Sequence, residues 1–253
     1  MKHISLLLFA LAGSIAQLVD GALGMGFGLL SSTLLLTLGI SSALASTAVH
    51  MSEIVTTLAS GASHWQERNV DNVMLVRLAL PAAVGAFLGA IFLSSIKLST
   101  AKVFISTMLL FLGLLLLYRN LFTSDSSNLI DITNPRYFSY LGFTGGFVDA
   151  SGGGGWGPIV TPTLLTTTSL EPKKIIGTVS AAEFIVAVSA SLGFLLNVDK
   201  IDINWQVVLA LAVGGTVTAP MAARIVGRLR RRQLGVLVAA AIIGINGYRL
   251  FIG

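Results

Sequence analysis

Hydrophobic residues along this chain run in long blocks separated by short polar breaks. The blocks fall at about 4–19, 23–38, 41–63, 73–96 and 101–122. A polar stretch, TSDSSNLIDITNPR (123–136), follows, and then come blocks at about 137–149, 156–168, 175–197, 203–223 and 233–252. Most of the blocks outside the short pairs approach or exceed ~20 residues, the length of a helix that crosses the ~30 Å hydrocarbon layer. The pattern predicts an all-α integral membrane protein.

Two pairs of blocks are shorter. Those at 4–19 and 23–38 would each be roughly 24 Å long as helix, short of a full crossing, and 137–149 and 156–168 behave alike. The sequence between the members of each pair is unusual for a membrane. LVDGALGMGFGLL (18–30) and FVDASGGGGWGP (147–158) put glycine runs beside an aspartate. Glycine holds a helix poorly, and Pro158 lacks a backbone donor. The expected interruptions lie at Asp20–Gly28 and Asp149–Pro158, with a further one at Pro162. Broken helices persist at membrane depth only where they line protein or a wet cavity.

The two stretches align with each other at an offset of 129: Asp20 over Asp149, Gly24, Gly26 and Gly28 over Gly153, Gly155 and Gly157, and Phe27 over Trp156. STAVHMSEIV (46–55) lies over GTVSAAEFIV (177–186) with a one-residue slip, which pairs Glu53 with Glu183. Val84–Gly85 and Val213–Gly214 return to the offset of 129. The chain therefore reads as a first membrane repeat (1–122), a polar linker (123–136) and a second membrane repeat (137–253). Each repeat would hold a broken or re-entrant helix pair followed by three transmembrane helices. If each broken pair turns back, the repeats are inverted, and Arg68, Arg77, Arg119, Arg136, Lys173, Lys174 and the arginine cluster share one face. The positive-inside rule favours that arrangement and makes that face cytoplasmic.

Composition agrees with a membrane setting. Only 11% of residues are charged and 54% are hydrophobic, against about 25% charged in a soluble domain. The mean hydropathy is +0.86. The net charge of +5 includes Arg224, Arg228, Arg230, Arg231 and Arg232. These read as a topology signal near lipid headgroups, not as a nucleic-acid tract. The start, MKHISLLLFALAGSIAQ, has the look of a signal peptide, but its counterpart later in the chain argues for a retained helix. The absence of cysteine excludes disulfides, thiolate metal sites and thiol nucleophiles.

AQLVDGALGMGFGLL, GFTGGFVDASGGGGWGPIVTPTLL and GTVSAAEFIV, taken together, resemble the TauE/SafE family of sulfite and organosulfonate exporters across essentially the whole chain. The resemblance implies a multi-pass protein of the inner membrane that exports a small anion such as sulfite or sulfoacetate.

The residues themselves suggest where such a cargo would sit. Paired interrupted segments at matching places in two halves are the best sequence pointer to a transporter's binding site. Free N–H groups at a half-helix start favour an anion. The expected substrate-binding set is Gly24, Gly26, Gly28, Ser31, Ser32, Gly152, Gly153, Gly154, Gly155, Trp156 and Thr161, with close helix packing the plainer reading of the glycines. Asp20 and Asp149 either cap the second half-helix or carry a proton. Glu53 and Glu183 lie inside their segments with no Lys or Arg a turn away; one or both would take up a proton from outside as the anion leaves, the plainer reading being a carboxyl held by neighbouring backbone. His50, one turn before Glu53, either relays that proton or packs through a hydrogen bond. His64 reads as an interface anchor beside Trp65. The Trp156 N–H would be available to an anion. Arg77 would reach for the headgroups. No metal and no cofactor is expected; protons, a small anion and the lipid bilayer are the expected partners.

Three functions compete at this point. A secondary carrier would rock two repeats about the glycine tips. A channel would use the paired half-helices as a filter. An intramembrane enzyme would need Ser151 and His50 to meet across the repeats. No Walker-type nucleotide loop is present.

Overall fold

The computed structural model describes residues 2–122, 134–196, 203–225 and 231–251. Every regular element among them is α-helix: α1 (Lys2–Leu23), α2 (Phe27–Thr37), α3 (Ser42–Gln66), α4 (Asn72–Ser95), α5 (Leu98–Phe122), α6 (Pro135–Gly152), α7 (Trp156–Thr167), α8 (Pro172–Leu195), α9 (Trp205–Ile225) and α10 (Arg231–Phe251). Most of the 123–136 stretch, with Arg228 and Arg230 of the arginine cluster, lies outside the described residues.

Among the described residues, α1, α4, α5, α8 and α9 are long and apolar enough to cross a bilayer. At 25 residues α3 has the length as well. Its composition is more polar because one face, from Ser46 through His50 and Glu53 to Ser60 and His64, is buried in the protein. Helix starts follow local chemistry. Asp71 caps α4 by accepting from the Met74 amide at 2.9 Å. Asn134 caps α6, whose first residue is Pro135, by accepting from the Arg136 and Tyr137 amides.

Helices α3 and α8 pack against each other at the centre; α8 also packs on α4 and α3 on α9. Helix α4 lies along α6, α1 along α9, and α5 against α10. Lipid tails are as apolar as leucine, so helices in a bilayer associate by close packing of small residues. Gly85 and Gly89 on α4 face the backbone of Phe143 and Phe147, while Gly142 and Gly146 on α6 face Leu78 and Ala82. Gly13 on α1 meets Leu211, and Gly214 on α9 meets Ala10. A Cβ at any of these six positions would overlap backbone.

The start of α6 and the end of α7 lie together. Tyr137, near the start of α6, hydrogen-bonds Thr167, the last residue of α7, at 2.7 Å between hydroxyls. At the same end Lys174 donates to the Val70 carbonyl at 3.2 Å, the Asp71 amide donates to Thr178, and Arg224 lies 3.7 Å from Glu67.

The breaks differ from the sequence expectation in place and length. Helix α1 continues through Asp20 to Leu23, and α6 continues through Asp149 to Gly152. The turns are only Gly24–Gly26 and Gly153–Gly155, so both aspartates sit in the last turns of helices. With 22 residues α1 can span on its own; α2 and α7, at 11 and 12 residues, are the short members. Pro162 interrupts nothing and lies inside α7.

Candidate functional site

Each turn rests on two glycines with positive φ: Gly24 (69°) and Gly26 (133°) in the first, Gly153 (74°) and Gly154 (135°) in the second. Side-chain-bearing residues rarely adopt these angles. In the second turn the Gly153 and Gly154 amides donate to the Asp149 carbonyl at 2.9 and 3.1 Å, which ends α6 in a left-handed cap. The carboxylate of the same residue starts α7: Asp149 Oδ1 accepts from the Gly155 and Trp156 amides at 2.8 and 2.9 Å. One residue thus closes one helix and opens the next. Of the two roles left open for Asp149, the cap is the one the geometry contains.

The two turns touch. A Cβ at Gly28 would lie 2.7 Å from the Gly154 Cα and 3.3 Å from Glu53 Oε1. Gly157 packs on the backbone of Met25 and Gly24 in the same manner. Residues 20–29 and 149–158 are all buried. The glycines therefore allow backbone to meet backbone, and the amides expected to be bare at the start of α7 are held by Asp149.

Five titratable side chains from four helices surround this junction. Asp20 (α1), His50 and Glu53 (α3), Asp149 (α6) and Glu183 (α8) are each exposed by 5% or less. His50 Nδ1 lies 2.8 Å from Glu53 Oε2 and 3.8 Å from Asp149 Oδ2, and its ring stacks on Phe194 with centroids 5.9 Å apart. Glu53, with no Lys or Arg a turn away, thus has His50 of its own helix as its partner. Asp20 and Glu183 are neighbours. His50, Glu53 and Asp149 offer one nitrogen and two carboxylate oxygens within 4.8 Å of one another. Such a set can share a proton or meet a small cation. The sequence does not show this grouping, because Asp149 arrives from another helix.

Several polar atoms here have no hydrogen-bond partner among the described residues: both Asp20 oxygens, Glu53 Oε1, Asp149 Oδ2, His50 Nε2, and the hydroxyls of Ser31, Ser32 and Ser180. Ser32 Oγ lies against Gly153. Thr161, at the matching place beside Gly24, donates its hydroxyl to the Gly24 carbonyl. The Trp156 N–H is not free either: it donates to the Val179 carbonyl at 3.1 Å. Ser151 donates to the Phe147 carbonyl at 2.6 Å, and no triad forms around it.

Sequence reasoning placed His64 at the interface. It is instead fully buried, with Nε2 3.1 Å from the Gly21 carbonyl and Nδ1 3.3 Å from the Asn69 amide. It ties the end of α3 to the last turn of α1. Asn246 on α10, not singled out in the sequence, donates to Thr33 on α2 at 3.0 Å. Trp65, Tyr118 and Trp205 are exposed, as interfacial residues would be.

A bundle of apolar helices, with two glycine turns meeting in a buried acidic cluster, belongs to the class of multi-pass membrane transporters. The family described as sulfite exporter TauE/SafE matches residues 9–248, and the chain belongs to it. It is similar to a Bacillus subtilis (strain 168) protein named "Probable membrane transporter protein YtnM", with 45% identity over 248 residues, covering 97% of this chain and 82% of that one. The chain is a membrane transporter and not an enzyme.

Proposed function

We propose that the chain exports a small sulfur oxyanion, such as sulfite or sulfoacetate, across the cytoplasmic membrane. Export is coupled to protons and proceeds by alternating access of two inverted repeats. The observation that carries this reading is the junction of the two glycine turns inside the acidic cluster. Half-helix starts supply amide donors for an oxyanion. Four carboxyls around one imidazole cannot all bear charge at once in so confined a place. The cluster therefore has to take up and give off protons when an anion passes, and Glu53 and Glu183 are its carboxyls on the two central helices.

Internal symmetry supports the repeats. At the offset of 129, Gly28 and Gly157 correspond, and so do Gly24 and Gly153; the contact of Gly28 on Gly154 is then mirrored by Gly157 on Met25, and Ser32 at Gly153 by Thr161 at Gly24. The packing of α4 on α6 mirrors that of α9 on α1. The gathering of Val70, Lys174, Glu67 and Arg224 at one end supports the inverted orientation.

The test is flux of labelled sulfite and sulfoacetate in reconstituted vesicles, with and without a pH gradient. Saturable flux that responds to the gradient is expected. Glu53→Gln and Glu183→Gln should fold and lose that response. Flux that rises linearly with anion concentration points to a channel, and an unchanged pH response in both variants contradicts proton coupling through these residues.

A further inference from the structure

An anion approaching the start of α7 would find its place taken. The Gly155 and Trp156 amides, which form the donor pair at this helix start, already hold the carboxylate of Asp149. Two neighbouring groups are poised for a different ligand. Ser32 Oγ, exposed by only 1%, has no partner and lies beside Gly153. Asp149 Oδ2 is also unpartnered and faces His50 Nδ1 at 3.8 Å. The carboxylate thus sits between two alternatives, the amide pair and the imidazole, and uses the first.

We infer that Asp149 is a built-in stand-in for the transported anion: in the empty carrier its carboxylate fills the α7 amide pair, and the substrate binds by displacing it towards His50. This inference rests on the anion-carrier reading above. A carboxylate and a sulfite or sulfonate group present the same pattern, two or three acceptor oxygens on one centre, to a pair of N–H donors. Displacement leaves the amides to the incoming oxyanion and gives it the Ser32 hydroxyl as a third donor. The displaced carboxylate moves towards the His50 Nδ1–H, which it then shares with Glu53 Oε2. Asp20 on α1, Glu53 on α3 and Glu183 on α8 face the same space, so an oxyanion settles there only as the charge of the surrounding cluster is reduced. Asp149 acts as a competitor that keeps the amide pair from standing empty and ties occupancy of the site to the state of His50. Asp20, its counterpart in the first half, approaches the amide of Phe27, which aligns with Trp156, but makes a looser contact there than Asp149 makes with its two amides.

The test is calorimetric titration of the detergent-purified full chain with sodium sulfite and with methanesulfonate, for the natural protein, Asp149→Asn and Asp149→Ala. Removing a charged competitor should tighten binding by about tenfold or more in Asp149→Ala, and by a smaller factor in Asp149→Asn, whose neutral amide oxygen still accepts from the same donors. Asp149→Asn keeps the cap, so it remains informative if Asp149→Ala fails to fold. Tighter binding in either variant supports the inference. If the natural protein binds an anion and neither variant binds it more tightly, Asp149 is a structural cap and the inference falls alone. If none of the three binds either anion, the inference and the anion-carrier reading fall together.

Discussion

Gly154 combines two constraints that only glycine meets. Its φ of 135° lies where a side chain is strained, and its missing Cβ would fall on the backbone of Gly28 and Leu29. Gly154→Ala should therefore cost about 2–5 kcal/mol, the sum of overpacking and backbone strain. Thermal unfolding of the purified protein checks this. A melting temperature within a degree or two of the natural protein's would mean that the turns do not meet this closely. His64→Ala removes the partner of the buried Gly21 carbonyl and should cost about 1–3 kcal/mol. As a mere interface anchor, His64 could be replaced by tyrosine without loss. The burial of His64 was not readable in the sequence, since its segment-end position and its neighbours Trp65, Glu67 and Arg68 all suggest a headgroup setting. Asp149 was half legible: its place ahead of a half-helix suggested a cap, but nothing in the chain showed that the cap would use up the donors an anion needs.

Among the helices, the pairings α4 with α6 and α1 with α9 rest on glycines that let carbonyls of one helix approach Cα atoms of the other. Gly85 and Gly214 stand at corresponding positions and face Phe143 and Ala10 respectively. Gly85→Val and Gly214→Val should each destabilise the protein by a similar amount, on the order of 1–3 kcal/mol or more. Chemical denaturation of the two variants measures this. A large effect in one and none in the other would argue against equivalent crossings. The blocks of apolar residues made all the described helices legible, because a lipid setting leaves little composition to confuse with loops. Helix ends were less so. Asp20 and Gly152 look like breakers, yet each remains helical because the turn needs only three residues, two of them glycines with positive φ. Which helix packs on which was not legible at all: a small residue shows that a helix is approached closely, not by what.

For the whole molecule, the contacts at one end set a topology that can be read from outside. The chain contains no cysteine, so single cysteines introduced at Arg68, Arg136 and Lys173 report sidedness without background. All three should react with an impermeant thiol reagent from the same side of the membrane, and a cysteine at Lys97, between α4 and α5, from the opposite side. Mixed sidedness among the first three would replace the inverted arrangement with a parallel one.

A small oxyanion held where the two glycine turns meet can be located directly. Selenite is a close analogue of sulfite whose selenium scatters anomalously, and diffraction from crystals grown with it locates the anion directly. An anomalous peak is expected within about 4 Å of the Gly155 and Trp156 amides, with the Asp149 carboxylate turned to His50. A saturated peak elsewhere in the bundle, with Asp149 still bonded to those amides, would contradict it.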